Sequence, residues 1–254
     1  VREPLLIRYM QPLIAGRRSE CFAVIADALS SGLSAEEIVC DVVWPAAMQV
    51  ERLYEDDRMN LAAHRMACRV NHTVVAQLQP RLTAQPRNGR KAVITSSESG
   101  LEELGSQILA DLLEASGWEV YLTGGGIPHD EILALIGELR PEAMVIFGTN
   151  PDDVPSTRAL VDLIREVGVC PNMNVVVGGG IYNRADGLWQ EVGADAFAPG
   201  PRELCVLLRD LKPRQPHAPR IGVVKKRHRR RKSLGAAAAA IRAAGARVLN
   251  VARN

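Results

Sequence analysis

Apolar positions in the first third of the chain recur with the period of a helix, and no stretch there alternates as a strand does. Leu5, Leu6, Tyr9 and Leu13 begin the pattern. Cys21, Val24, Ile25, Ala28 and Leu29 form a second stripe that stops at Ser30-Ser31-Gly32. Ser34-Ala35-Glu36-Glu37 has the form of a capping box, with Ser34 as cap and Glu37 three residues on. The stripe that follows runs through Ile38, Val42, Val43, Met48 and Leu53, and Pro45 within it predicts a kink or a restart. Leu61, His64, Cys68, Val70 and Val75 mark a last helix ending before Pro80. Residues 1–82 are therefore expected to form a small bundle of four or five helices.

Residues 83–89 (TAQPRNG) are polar and carry Pro and Gly, the composition of a linker. Beyond them the period changes. Short β runs at 92–95, 118–122, 143–147, 174–177 and 195–197 alternate with helical stretches at 101–116, 130–139, 157–167, 185–192 and 202–211. Strict strand–helix alternation predicts an α/β fold over 90–212. The expected form is a doubly wound, five-stranded parallel sheet covered on both faces, Rossmann-like and flavodoxin-like. From 213 to 254 the chain is different in kind and is expected to be a basic, largely disordered tail. Pro213, Pro216 and Pro219 break structure, and Lys225 to Lys232 is an unbroken basic run. Ser233 to Val251 is alanine-rich but interrupted by Gly235 and Gly245.

Charge and cysteine usage sharpen this picture. The net charge of +2 hides an asymmetry, because no Asp or Glu follows Lys212. The basic run offers a surface for polyanions, DNA or RNA included. No aromatic is interleaved to stack on bases. Five widely spaced cysteines, with no C-x-x-C pair, fit buried thiols in a reducing compartment and so a cytoplasmic protein without a zinc centre. No apolar run approaches the roughly 18 residues of a membrane span. Val at position 1 fits either an alternative start codon or a truncated chain, the latter leaving room for a further N-terminal module.

In a parallel sheet of this kind ligands bind beyond the carboxyl ends of the strands. The loops there are rich in Gly, Ser, Thr and Asn, with glycine triplets at Gly124-Gly125-Gly126 and Gly178-Gly179-Gly180. Such triplets let a backbone approach a flat ligand without a Cβ between them, and they also serve plain tight turns. No G-x-S-x-G elbow, H-E-x-x-H or Walker motif is present. Asp152-Asp153 fits a solvated helix cap better than a catalytic pair. His129 lies beside the expected cleft.

A helical module followed by Val175-Val176-Val177-Gly178-Gly179-Gly180 and Gly193-Ala194-Asp195 resembles the cobalamin-binding domains of methionine synthases, corrinoid carrier proteins and light-sensing cobalamin regulators. The resemblance spans about residues 20–211. In that family a D-x-H-x-x-G motif after the first strand supplies a cobalt-ligating histidine, which lets the cofactor's own base swing away into a deep slot. The matching stretch here is Gly100-Leu101-Glu102-Glu103-Leu104-Gly105, so the final glycine is kept and the histidine is Glu102. The S-x-L motif that cradles the nucleotide tail reads Gly148-Thr149-Asn150, and the later G-G pair is intact at Gly178-Gly179. In the helical cap, the aromatic and histidine that cover the upper cobalt face in light-sensing members correspond to Tyr54 and, one place early, His64.

The resemblance thus implies a ligand site made of Glu102, Gly105, Gly148, Thr149, Asn150 and Gly178 to Gly180, with Tyr54 and His64 above it. A carboxylate is a poor cobalt ligand beside an imidazole. Three readings fit this pattern: cobalamin bound with its own base attached, another planar ligand, or a scaffold that has lost its ligand. The expected role is a non-catalytic, regulatory or sensory cobalamin-type module that signals to a protein partner. The alternatives are a degenerate interaction module and a corrinoid carrier of a methyltransferase system.

Overall fold

Ser34 begins the third helix as its sequence requires. Its hydroxyl accepts from the Glu37 N–H at 3.2 Å, while the Glu37 carboxylate accepts from the Ser34 N–H at 3.0 Å. The computed structural model describes residues 2–96, 100–148 and 150–215, leaving aside the side chains of 2, 3 and 100–102. The basic run, the alanine-rich stretch, Thr149 and the side chain of Glu102 lie outside the described residues.

Helices α1 (Arg2–Ile14), α2 (Arg18–Ser30), α3 (Ala35–Ile38), α4 (Trp44–Glu55) and α5 (Leu61–Leu78) make the cap. Between α3 and α4 the chain widens into a π-turn, Val39–Val43, and α4 restarts at Trp44 with Pro45 in its first turn, as the restart expectation has it. The Trp44 N–H reaches back five residues to Val39 O. That wider turn takes up the hydrogen bond and the space that the proline ring denies to an ordinary α-turn. Inside the cap the buried Tyr9 hydroxyl donates to Asn71 Oδ1 at 2.9 Å and ties α1 to α5.

Residues 83–89, expected as a linker, are tied down. The Gln85 and Asn88 N–H groups donate to Ala115 O and Gly117 O, and Arg87 donates to Trp118 O. They lead into β1 (Lys91–Ser96), α6 (Gly100–Ala115), β2 (Glu119–Gly124), α7 (His129–Leu139), β3 (Ala143–Phe147) and α8 (Val154–Val167). Then follow β4 (Asn174–Gly178), α9 (Gly180–Arg184), α10 (Leu188–Glu191), β5 (Ala196–Ala198) and α11 (Pro201–Asp210). All strand pairs are parallel, in the order β2-β1-β3-β4-β5. The expected helix at 185–192 is instead two short helices. Gly179 starts α9 directly off β4, and Gly187, with a φ of 78°, separates it from α10.

Alternation along the strands divides the interior in two. Ala92, Ile94, Ala143, Val145 and Phe147 face α6, α11 and the cap, in one continuous apolar core. Met144, Ile146, Val175 and Val177 face α7 and α8 in a second. Cap and sheet therefore share a core, and the described residues form one compact unit. Among them no helix is long and apolar enough to cross a membrane.

One carboxylate sits poorly in this packing. Asp111 on α6 has a buried Oδ2 without a hydrogen-bond partner among the described residues. Burial, and then the neighbouring Glu114, push its pKa up to about 7 from 3.8. A carboxyl whose pKa is raised on folding costs nothing below its unfolded value and becomes progressively costly as pH rises through the folded one. Asp111→Asn is therefore expected to raise stability by roughly 2 kcal/mol at pH 8. The gain should vanish near pH 4, as urea unfolding at the two pH values would read. A gain independent of pH would exclude this cause.

Candidate functional site

The sheet order reverses between β1 and β3, and the loops at the carboxyl ends of these strands and of β4 form the edge where a ligand is expected. The cap reaches this edge from the α6/α11 side. Arg184 of α9 pairs with Glu55 at the end of α4 at 3.2 Å. Trp44 meets Phe147 edge to face, with ring centroids 6.0 Å apart. Arg202 of α11 is salt-bridged to Asp41 in the π-turn.

The glycines of the implied site turn out to accommodate the protein itself. A Cβ on Gly105 would stand 2.5 Å from the Phe147 ring, and one on Gly178 would stand 2.6 Å from Leu204 Cδ1. Gly179, at φ 105°, lies so close to β3 that a Cβ would be 2.3 Å from Gly148 O. Gly148 in turn bonds β4 through its N–H to Gly178 O at 2.9 Å, and its own Cβ position is 3.4 Å from the Tyr182 ring. Asn150 accepts from the Asp152 N–H at 3.1 Å and caps the short turn Pro151–Asp153 that leads into α8. Gly180 is the first residue of α9. These residues do share one edge, which is the part of the expectation that the structure brings together.

Tyr54 and His64 also meet, but in a closed arrangement. The rings stack at 4.4 Å, and His64 Nε2 is 2.8 Å from Glu51 Oε2. His64 is only 7% exposed, and its Nδ1 is buried without a hydrogen-bond partner among the described residues. Cys68 Sγ lies 3.7 Å from the same Nε2. Burial, then the charge of Glu51, push the Cys68 thiol up to about 11, so it stays protonated at neutral pH. The other described histidines are engaged as well. His72 Nδ1 meets Gln107 Oε1 at 3.0 Å, and His129 Nε2 meets Ser156 Oγ at 3.1 Å. Among the described residues no group of three or more His, Cys, Asp and Glu side chains is placed to hold a metal ion.

Two open spaces flank the edge. A cleft of ≈ 550 Å³ opens on the α7/α8 side between Thr95, His129, Asn150 and Ser156, with Ile132 and Leu160 as apolar wall. A groove of ≈ 640 Å³ runs along the outer face of α5, where Arg65, Arg69 and His72 stand between Arg18 and Glu103. On the α6/α11 side the corresponding space is filled by Phe147 and Leu204, both fully buried. Sequence reasoning passed over Phe147, because its signal is that of any last apolar residue in a buried strand. It also missed Glu51, whose pairing with His64 depends on how α4 and α5 cross.

Comparison with known proteins gives two family matches, each to a B12 binding domain, one over residues 6–79 and one over 90–208. Dimethylamine corrinoid protein 1 of Methanosarcina acetivorans is 22% identical over 213 residues, covering 83% of this chain and 98% of that protein. A methanol–corrinoid protein of Methanosarcina barkeri is 20% identical over 201 residues, covering 77% of each. The monomethylamine corrinoid protein of Methanosarcina barkeri shares the fold with a TM-score of 0.72 at 15% identity, covering 82% of this chain and 98% of that one.

Proposed function

Because the chain belongs to the cobalamin-binding family, with a helical B12 binding domain followed by a Rossmann-like one, we propose that it is a corrinoid carrier that presents its cofactor to a separate methyltransferase. Cobalamin is the cofactor of the module. The observation that carries the proposal is the extent of the match. This chain aligns with 98% of a dimethylamine corrinoid protein, cap and sheet domain together, so it corresponds to the whole of that relative. The regulatory or sensory role expected from the missing histidine finds no support among these relatives, and the carrier alternative is preferred. A nucleic-acid partner for Lys225 to Lys232 finds none either.

Bound cobalamin supplies a cobalt centre able to accept a methyl group and release it again. The work of this chain is to hold and shield that centre. The glycine-lined carboxyl edge at Gly148 and Gly178 to Gly180 offers backbone rather than bulky side chains to the cofactor. Glu55 and Arg184 hold the end of α4 over the β4 end. The Trp44–Phe147 contact keeps water out of the interface between cap and sheet.

The test is reconstitution. The purified chain, incubated with hydroxocobalamin in the dark and desalted, is expected to keep cobalamin in a near one-to-one ratio by its visible absorption. After reduction it is expected to take a methyl group from methyl iodide, with the corresponding change in spectrum. Colourless protein after desalting would exclude the carrier role. Retained cobalamin that is not methylated after reduction would leave a binding module without the transfer function.

A further inference from the structure

The groove along α5 gathers more positive charge than its surroundings neutralise. Arg65 and Arg69 are exposed one turn apart on α5, and Arg18, the first residue of α2, lines the same groove. Glu103 is the one carboxylate among the lining residues, and α5 itself carries none. The Cys68 thiol, kept protonated by burial, adds no negative charge. The acids of α2 and α4 are engaged elsewhere: Glu20 by Arg17 at 3.1 Å, Asp27 by Arg8 at 2.9 Å, Glu51 by His64 at 2.8 Å and Glu55 by Arg184 at 3.2 Å. Among the described residues, none of the three groove guanidiniums has an ion-pair partner. Like charges one helical turn apart repel, so an anion is the missing complement. Arg18 is already held for that task. Its Cζ lies 5.1 Å from the centre of the Phe22 ring, and stacking on a ring leaves the N–H edges of a guanidinium free to donate.

The groove also has an apolar seat. Met66 lines it with 47% of its surface exposed, and it packs on Gly16 so closely that a Cβ there would be 3.1 Å from Met66 Cε. An exposed, polarisable thioether beside a row of guanidiniums suits a flat aromatic group joined to an anion. The dimensions agree. From Arg65 to Thr73 the groove follows eight residues of helix, about 12 Å, and its ≈ 640 Å³ is the volume of a small-molecule site. A phosphate takes two parallel N–H bonds from one guanidinium, and linked phosphates can engage several guanidiniums at once. We infer that this groove binds a nucleoside di- or triphosphate, with its phosphates on Arg18, Arg65 and Arg69 and its base on Met66. The site shares no residue with the glycine-lined edge of the sheet, so it stands independently of the cofactor and of the carrier role.

The experiment is calorimetric titration of the full-length protein with ATP, ADP, AMP and inorganic triphosphate at about 0.15 M salt, where charges more than about 8 Å apart are screened. ATP and ADP are expected to bind one to one, and AMP at least about tenfold more weakly. The double variant Arg65→Ala/Arg69→Ala is expected to lose at least about tenfold in ATP affinity, with urea unfolding unchanged. Met66→Ala, which leaves the charges in place, is expected to weaken ATP about threefold and inorganic triphosphate not at all. The basic run offers phosphates a competing site, so a variant with residues 225–232 replaced by serine is the control. It is expected to bind ATP within about twofold of wild type. Loss of ATP binding in that control with retention in the α5 variant would assign the phosphates to the basic run and overturn the inference. Equal affinity for AMP and ATP, or no binding to wild type at about 1 mM ATP, would overturn it as well. A Met66→Ala variant that binds ATP as tightly as wild type would overturn the seat for the base.

Discussion

Gly179→Ala is expected to destabilise the protein by at least about 3 kcal/mol, because two independent faults coincide there. At φ 105° and ψ 177° the backbone lies in a region that L-residues with a side chain essentially do not enter. The added methyl would also stand 2.3 Å from Gly148 O and 3.0 Å from its carbonyl carbon. Both are backbone atoms at the end of a strand whose next N–H is bonded to Gly178, so neither can swing aside. Gly187→Ala provides the control. Its φ is 78°, but the nearest atom to a new Cβ is Gln190 Oε1 at 3.8 Å, the end of a flexible side chain. Only the conformational penalty of about 1–2 kcal/mol is expected there. Urea unfolding of the two variants would separate them, and equal losses would show that the close approach of β3 and β4 is not what Gly179 serves.

Asp195→Ala is expected to cost about 2–4 kcal/mol. This carboxylate stands at the head of β5 and gathers three elements. It accepts from the Val175 N–H of β4 at 2.7 Å, from Arg165 of α8, and from Arg214 Nε beyond α11 at 3.0 Å. Arg165 is 19% exposed, and its pKa is lowered, chiefly by burial. Removing Asp195 leaves that half-buried guanidinium facing Arg214 with no counter-charge. Loss of the partner rather than loss of the bond accounts for most of the cost. Asp195→Asn should keep the oxygen that accepts from Val175 and Arg165 but lose the charge and the acceptor for Arg214, and its stability should fall between wild type and Asp195→Ala. If Asn and Ala cost the same, the charge is not the operative quantity.

The order of elements was legible in the sequence because local rules govern it. Helix period, strand alternation and turn glycines each depend on residues within a few positions. The capping box at Ser34 and Glu37 formed as written, and β3 runs over the residues its apolar pattern marked. The family was legible for a related reason: glycines at fixed distances from strand ends are a local signature of a shared backbone. Where two local signals conflicted, the outcome was settled by neighbours. Pro45 sits in the first turn of α4, where a proline is tolerated, and the chain enters that helix through a π-turn packed inside the cap. At 180–191 the close seat of Gly179 on β3 started a helix earlier than the apolar pattern suggested.

The site was legible only as a set of positions. Gly105, Gly148, Gly178 and Gly179 were named as cofactor glycines, and they are indeed gathered at one edge. What each abuts was decided by residues far along the chain, Phe147 against Gly105 and Leu204 against Gly178. His64 was named as a ligand candidate, and the crossing of α4 and α5 gave it to Glu51 and Tyr54 instead. The sequence by itself determined the elements, their order, the parallel sheet and the cobalamin-binding family, all of which follow from short-range spacing. The tertiary structure alone decided that one face of the sheet is plugged and the other open, because whether a space is empty depends on every side chain that reaches it.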